Sequence, residues 1–300
     1  MVLATLLFAG MGVCVKLASD HFSTATVVAA RGLMGAVMMA VIAHTSRTPL
    51  RTRVPVLHLK RGLAGVIALA LWFYCIGQLS LATAVTLNYT SSVWMAVFLV
   101  MQALWWGGRR VDARLLLAVV VGFVGVALVL QPTIARDQIG AGLMGVASGM
   151  LAGMAYLQVK ALGRAGEPEV RVVFYFSLMG LLSGALIWLV AGGWRTLVLS
   201  SGHSVADAAP PGWAWVALAG VGAFATVAQL LMTRAYATGR TLVNANLQYL
   251  GIVHAAVLGM LLFGETISAS GLLGMALIVL AGMGSTRVPA PDAAPSPEKS

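Results

Sequence analysis

Charge is what this 300-residue chain lacks. Only 9% of its residues are Asp, Glu, Lys or Arg, against about 25% in an ordinary soluble domain, while 60% are hydrophobic. A soluble fold coats its surface with charge, so much of this surface must face something other than water, and a soluble globular enzyme is excluded. Acidic residues are scarcest, nine against 19 basic ones. In a soluble chain that excess would suggest nucleic acid; in an apolar chain it reports membrane topology, and the expected partners are a lipid bilayer and a small-molecule solute, not nucleic acid. Cysteine is limited to Cys14 and Cys75, both inside apolar runs, so neither a disulfide framework nor a thiolate metal site is expected. No GxxxxGK[ST] phosphate loop occurs, so an ATP-driven pump would need a separate nucleotide-binding subunit, and no cofactor is expected. All ten prolines lie in breaks between apolar runs, at run ends or in the C-terminal tail, which fits helices, since a mid-helix proline costs about 3 kcal/mol.

What is present in quantity is apolar sequence in long runs. A hydrocarbon core about 30 Å thick needs roughly 20 apolar residues at 1.5 Å per residue. Ten runs fit: 1–18, 25–44, 62–81, 83–106, 113–131, 140–160, 170–192, 212–236, 241–263 and 268–286. The stretch 287–300, VPAPDAAPSPEKS with its preceding Arg, is Pro- and Ala-rich without periodicity and is expected to be a disordered cytoplasmic tail. The first run lacks the basic start of a signal peptide and is expected to stay in the protein; it begins abruptly, and whether a few native residues precede it is left open by the sequence. Basic residues concentrate in alternate breaks, 15 on one side (among them Arg47, Arg51, Arg53, Lys60 and Arg61) against Lys16, Arg136 and Arg195 on the other. The positive-inside rule then predicts a multi-pass inner-membrane protein with both termini cytoplasmic.

The two halves resemble each other. A shift of 156 residues aligns Asn88 with Asn244, Val97 with Val253, Gly108 with Gly264 and Leu116–Leu117 with Leu272–Leu273; AGMGVCVK (9–16) resembles AGMAYLQVK (152–160). Five spans per copy is an odd number, so the second copy must be threaded upside down, as in secondary transporters whose substrate site lies at the midplane between inverted repeats. The expectation is an all-α integral membrane protein of ten transmembrane helices in two inverted-topology five-helix repeats, 1–132 and 140–286.

The segments FYCIGQLSLATAVTLNYTSSVWMAVF (73–98), GFVGVALVLQP (122–132) and RAYATGRTLVNANLQYLGIVHAAVLGMLLFGE (234–265) resemble the EamA-type families of the drug/metabolite transporter superfamily. The resemblance implies ten helices, cytoplasmic termini and a central cavity lined mainly by spans 3, 4, 8 and 9. Copy one departs from the family pattern at Ser92, where proline is common, and at Arg109, where Glu is usual.

No acidic residue falls in the middle of a span, which disfavours a cationic solute and favours a neutral, zwitterionic or anionic metabolite, such as an amino acid or derivative. The candidate cavity lining is Trp72, Tyr74 and Gln78 on span 3, Asn88, Tyr89, Ser91 and Trp94 on span 4, Gln229 on span 8, and Asn244, Asn246, Gln248 and Tyr249 on span 9. Each amide taken alone is equally explained by interhelical hydrogen bonding. Arg31 lies about six residues, roughly 9 Å, into span 2; it either snorkels outward or faces the cavity, where its fork could bind a carboxylate or phosphate. Lys16, near the end of span 1, is expected to snorkel. His254 is the mid-span group able to titrate near neutral pH and is the proton-coupling candidate, with core hydrogen bonding as the structural reading. Gly145, Gly149 and Gly153 allow close helix approach, within the chain or in a homodimer. Gly220-x-Gly222-x-x-Ala225 lies in an apolar span and reads as packing, not a dinucleotide fingerprint. The leading reading is a secondary transporter and not an enzyme; the alternative is an integral membrane enzyme or a non-transporting scaffold, against which stands the scatter of the five histidines without a buried acid beside them.

Overall fold

A computed structural model describes residues 1–91, 93–95, 97–98, 101, 117, 120–122, 124–125, 127–128, 138–190, 210–238 and 247–286. Its elements are α1 (Val2–Ser19), α2 (Thr24–Thr45), α3 (Pro55–Gln78), α4 (Leu81–Tyr89), α5 (Ile139–Arg164), α6 (Glu169–Val190), α7 (Gly212–Thr238), α8 (Leu250–Phe263) and α9 (Ala269–Thr286), with no strand among the described residues. The ends of α1, α2, α6, α7 and α9 fall within two residues of the expected spans. Most of the fifth expected span, the start of the ninth and the tail lie outside the described residues.

α3 is the instructive departure. It begins at Pro55, seven residues before the expected start, because proline suits the first helical turn, where its missing N–H has no partner to lose. Lys60 and Arg61, expected in a loop, are therefore helical, and Arg61 is buried. α4 starts at Leu81 behind Ser80, whose hydroxyl accepts from Thr83 N at 3.2 Å, and gives way to a turn at Thr90 before helical geometry resumes at Ser91.

Among the described residues six helices, α1, α2, α3, α5, α6 and α7, are long and apolar enough to cross a membrane, and α8 and α9 hold shorter apolar segments. Their outer faces carry exposed aliphatic stripes at helical spacing: Leu33, Val37 and Val41 on α2, Leu59, Leu63 and Ile67 on α3, Leu182 and Leu186 on α6, Val253 and Val257 on α8. Such a belt is unfavourable in water and natural in lipid.

Inside the belt, small residues set the helix spacing. α2 packs most extensively on α6, α3 on α5 and α1 on α7, with α2–α7, α3–α6, α1–α8, α4–α5 and α4–α8 completing the bundle. At the α2–α6 crossing, a Cβ on Gly32 would overlap the backbone of Leu181, and one on Gly184 would lie 2.6 Å from Ala29 N. The tandem glycines of α5 are used the same way: Cβ atoms at Gly145, Gly149 and Gly153 would meet Leu87, Thr90 and the Ser91 carbonyl. That face packs within the chain, against α4 and the turn after it. Gly220 and Gly222 likewise admit Cys14 and Met34, so the dinucleotide-like spacing is packing.

A polar clasp holds each end of the bundle. At the end holding the α1–α2 connection, Lys16 Nζ pairs with Glu265 Oε1 at 2.6 Å and donates to the Leu79 carbonyl at 2.9 Å. Glu265 also accepts from Leu81 N, 2.9 Å from each carboxylate oxygen, so a carboxylate sits at the positive N-terminus of α4. α8 ends at Gly264, whose φ of 61° reverses the chain while Glu265 N bonds Gly259 O at 3.2 Å. Lys16 is thus paired, correcting the expectation that it snorkels. At the opposite end Glu167, between α5 and α6, accepts from Thr52 Oγ1 (2.9 Å) and Arg171 Nη1 (3.0 Å), with His58 Nε2 3.0 Å away. Arg171 also donates to the Pro49 carbonyl, from Nη2 at 2.6 Å and Nε at 2.9 Å, tying the α2–α3 connection to α6.

Two predictions follow from this packing. Gly→Ala in an open helix gains about 1 kcal/mol, but Gly32→Ala drives a methyl into backbone and should instead cost about 1–3 kcal/mol, read as a lower thermal midpoint in detergent. Burial alone would raise the Glu167 carboxyl, yet the hydrogen bonds from His58, Arg171 and Thr52 and the Arg171 charge together outweigh it and hold the pKa below its ordinary value. A lowered folded pKa gives stability that is complete above the unfolded value, about 4.3, and is lost as pH falls through the folded one. Thermal midpoints from pH 7 to 3 should therefore fall more steeply for wild type than for Glu167→Gln; parallel curves would refute the assignment.

Candidate functional site

Between the two clasps lies a small cavity, lined from α1, α2, α3, α4, α5, α6, α7 and Gln248 just before α8. Helical register decides which α3 side chains reach it. Arg61, Gly65, Ala68 and Trp72 recur at steps of four, three and four residues, one face of a helix, and all four line the cavity. Tyr74 stands two turns beyond Ile67, on the lipid stripe, and is 40% exposed. Gln78 is exposed at the last residue of α3, where its carbonyl accepts from Gln138 Nε2 at 2.9 Å. Both were expected in the lining and neither belongs to it. The reason is angular: with 100° per residue, two positions separate Trp72 from Tyr74 by most of a half turn.

Of the other expected residues, Arg31, Asn88, Tyr89, Gln229 and Gln248 line the cavity together with Trp72. Asn88 Nδ2 donates to Ser148 Oγ at 2.8 Å, and Ser148 Oγ donates to the Ala68 carbonyl at 2.7 Å, a relay joining α4, α5 and α3 beneath the cavity floor. Tyr89 lies against Gly251, where a Cβ would overlap its phenol. Ser91 and Tyr249 are buried and Trp94 half-buried, but none of the three belongs to the lining set. His254 is half-buried, its Nδ1 3.4 Å from the Thr5 hydroxyl, and reaches the cavity only through that lining residue. Asn244 and Asn246 lie outside the described residues.

The site's electrostatics come from two guanidiniums that share one aromatic ring. Arg31 Cζ is 5.0 Å and Arg61 Cζ 4.2 Å from the Phe176 ring centroid. Both side chains are 4% exposed, so the snorkelling alternative for Arg31 is excluded. Gly65 makes room: a Cβ there would overlap Arg61 Nη1. Arg31 Nε, Arg61 Nε and Nη1, and Trp72 Nε1 are buried without a hydrogen-bond acceptor. No lining residue is acidic; Glu167 and Glu265, both half-buried, are occupied at the bundle ends. The arrangement is an aromatic-walled chamber with surplus N–H donors.

Sequence reasoning missed Arg61, Tyr156 and Phe176 in this lining. Arg61 was findable: starting α3 at Pro55 puts it on the Gly65–Trp72 face. Tyr156 and Phe176 carried no such signal, since aromatics on apolar helices are common.

A multi-pass helical bundle around a largely apolar cavity that holds a few buried polar side chains is a form membrane transporters take, and the comparisons agree. Residues 1–131 match the EamA-like transporter family, and along most of its length the chain is similar to proteins named as transporters. It is 28% identical over 289 residues to the pseudopaline exporter CntI of Pseudomonas aeruginosa, covering 95% of this chain and 94% of the exporter. It is 28% identical over 235 residues to a riboflavin transporter of Rhizobium johnstonii, covering 78% and 71% respectively. A solved crystal structure superposes with TM-score 0.63 at 17% identity, covering 94% of both chains, a likeness of fold.

The Asn88–Ser148 relay yields a prediction. Asn88→Ala and Ser148→Ala should each lower the thermal midpoint, and the double variant should fall short of the sum by a coupling of about 0.6–1.7 kcal/mol. Full additivity would show that the two side chains do not interact.

Proposed function

We propose that this protein is a secondary transporter that moves a small neutral, zwitterionic or anionic metabolite, such as an amino acid or derivative, across the inner membrane by alternating access. The observation that carries the reading is the central chamber, closed in by membrane-length helices, walled by aromatics and free of carboxylates among its lining residues. A cation would meet two guanidiniums there with nothing to balance it. The relatives named above transport small organic molecules by their names, pseudopaline in one and riboflavin in the other.

The inverted five-helix repeat is part of this reading. Exchanging α1 with α5, α2 with α6, α3 with α7 and α4 with α8 converts each principal packing pair into another: α3–α5 into α1–α7, α1–α8 into α4–α5, α2–α7 into α3–α6. α2–α6 and α4–α8 map onto themselves, which supports a pseudo-twofold through the chamber. Cytoplasmic termini follow from the charge asymmetry of the connections. Under alternating access the Lys16–Glu265 and Glu167–Arg171 clasps are the contacts to be broken in turn, since side-chain ion pairs at the bundle ends, which water partly reaches, cost less to open than backbone-to-backbone glycine packing.

The test is solute accumulation in vesicles with imposed proton and sodium gradients, paired with thiol labelling. A cysteine placed in 46–54 should be shielded from an impermeant reagent in intact cells, and one in 200–208 should label; the reverse would overturn the orientation. Trp72→Ala should abolish transport with the protein still in the membrane, whereas Tyr74→Ala, on the lipid face, should not. His254→Gln should keep exchange but lose pH-driven accumulation if the histidine carries a proton. Unchanged accumulation excludes that route and leaves a facilitator or exchanger.

A further inference from the structure

The two arginines define a charge problem that the protein itself does not solve. Arg31 comes from α2 and Arg61 from α3, their guanidiniums share the Phe176 ring, and Arg31 Nε, Arg61 Nε and Arg61 Nη1 are buried without an acceptor among the described residues. The ring faces supply a weak cation–π attraction but accept no hydrogen bonds from the in-plane N–H groups. Trp72 adds a third buried donor without an acceptor to the same lining. Buried polar groups are satisfied as a rule, and an exception in a cavity marks where a ligand supplies the missing partner. Here every orphaned lining atom is a donor, so the partner is an acceptor. Two positive centres on separate helices call for two anionic groups rather than one.

We infer that the chamber binds a small organic dicarboxylate, one carboxylate on Arg31 and the other on Arg61, with its carbon skeleton against Phe176 and Trp72. This rests on the transporter reading and narrows its solute class. Each guanidinium presents a planar fork that matches a carboxylate in two parallel hydrogen bonds. The aromatic walls exclude water from the skeleton while leaving no acidic group to repel the charges. Gly65 acts as a positioning residue, because any side chain there would displace the Arg61 guanidinium.

The experiment measures thermal midpoints of the purified full-length protein in detergent against succinate, glutarate and adipate, with butyrate and glycerol 3-phosphate at matched ionic strength. At least one dicarboxylate should raise the midpoint and bind at least roughly tenfold more tightly than butyrate, since the second carboxylate engages a second guanidinium. Arg31→Gln and Arg61→Gln should each bring dicarboxylate affinity down to the butyrate level. Without ligand both variants should unfold no lower than wild type, because each removes an uncompensated buried charge; a purely structural arginine would give a lower midpoint. Equal binding of butyrate, preference for glycerol 3-phosphate, no response to any dicarboxylate, or undiminished affinity in both glutamine variants would overturn the inference. Binding without movement in vesicles would defeat the transport reading alone, and transport of solutes with no dicarboxylate preference would defeat this inference alone.

Discussion

Two guanidiniums inside a lipid-facing bundle, with no acid beside them among the described residues, are the constraint around which the interior is organised. An unpaired charge away from water costs several kcal/mol even after local relaxation, far more than any single packing contact returns. The surrounding residues lower that cost without removing it. Phe176 offers both cations its face, Gly65 vacates the space Arg61 occupies, and the cavity leaves room for polar contact that the protein does not provide. The acids are placed where they cannot help: Glu265 is saturated by Lys16 and the Leu81 amide, Glu167 by Thr52, His58 and Arg171. Positive charge at the centre and satisfied carboxylates at the ends are two sides of one distribution.

The same distribution separates the rigid parts from the breakable ones. Gly32, Gly184 and Gly149 bring helices to backbone contact, and close packing of that kind has few intermediate positions between fitted and separated. The clasps are different, being formed by side chains of connections and helix ends: Lys16 keeps 23% of its side chain exposed and Arg171 12%. Water reaches such groups readily and can take over their hydrogen bonds. Small-residue seams therefore hold helices together as units, and the ion pairs hold units together at the two ends.

How much of this was legible in the sequence depended on what each signal measures. Apolar run length located the helices because lipid thickness is a one-dimensional requirement, and α1, α2, α6, α7 and α9 fell close to their expected spans. It misplaced the start of α3 because Lys60 and Arg61 were read as loop charges, although Pro55 marked the helix start and Arg61 shares a face with Gly65 and Trp72. Polarity within spans found Arg31, Trp72, Asn88, Tyr89, Gln229 and Gln248 but also drew in Tyr74 and Gln78, since residue type does not report the angle at which a side chain leaves its helix. Lys16 shows the limit most plainly. Its partner Glu265 is 249 positions away, and only the fold brings α1 and the α8–α9 turn together.

The central charges also bear on how a transport cycle would close. Occluding the chamber removes the water that solvates its donors, so an empty chamber would be sealed with two bare guanidiniums, whereas one holding two carboxylates would be sealed close to neutral. Closure is then favoured by occupancy rather than opposed by it, without any conformational signal beyond charge balance. On the dicarboxylate reading, the loaded and empty forms would differ in closing energy, which is what a differential ligand effect on a two-state equilibrium requires. A carrier that closes readily only when loaded returns loaded, and that is the behaviour of an exchanger. On that reading the charge distribution would favour exchange over uphill pumping for the same reason that it would favour an anion.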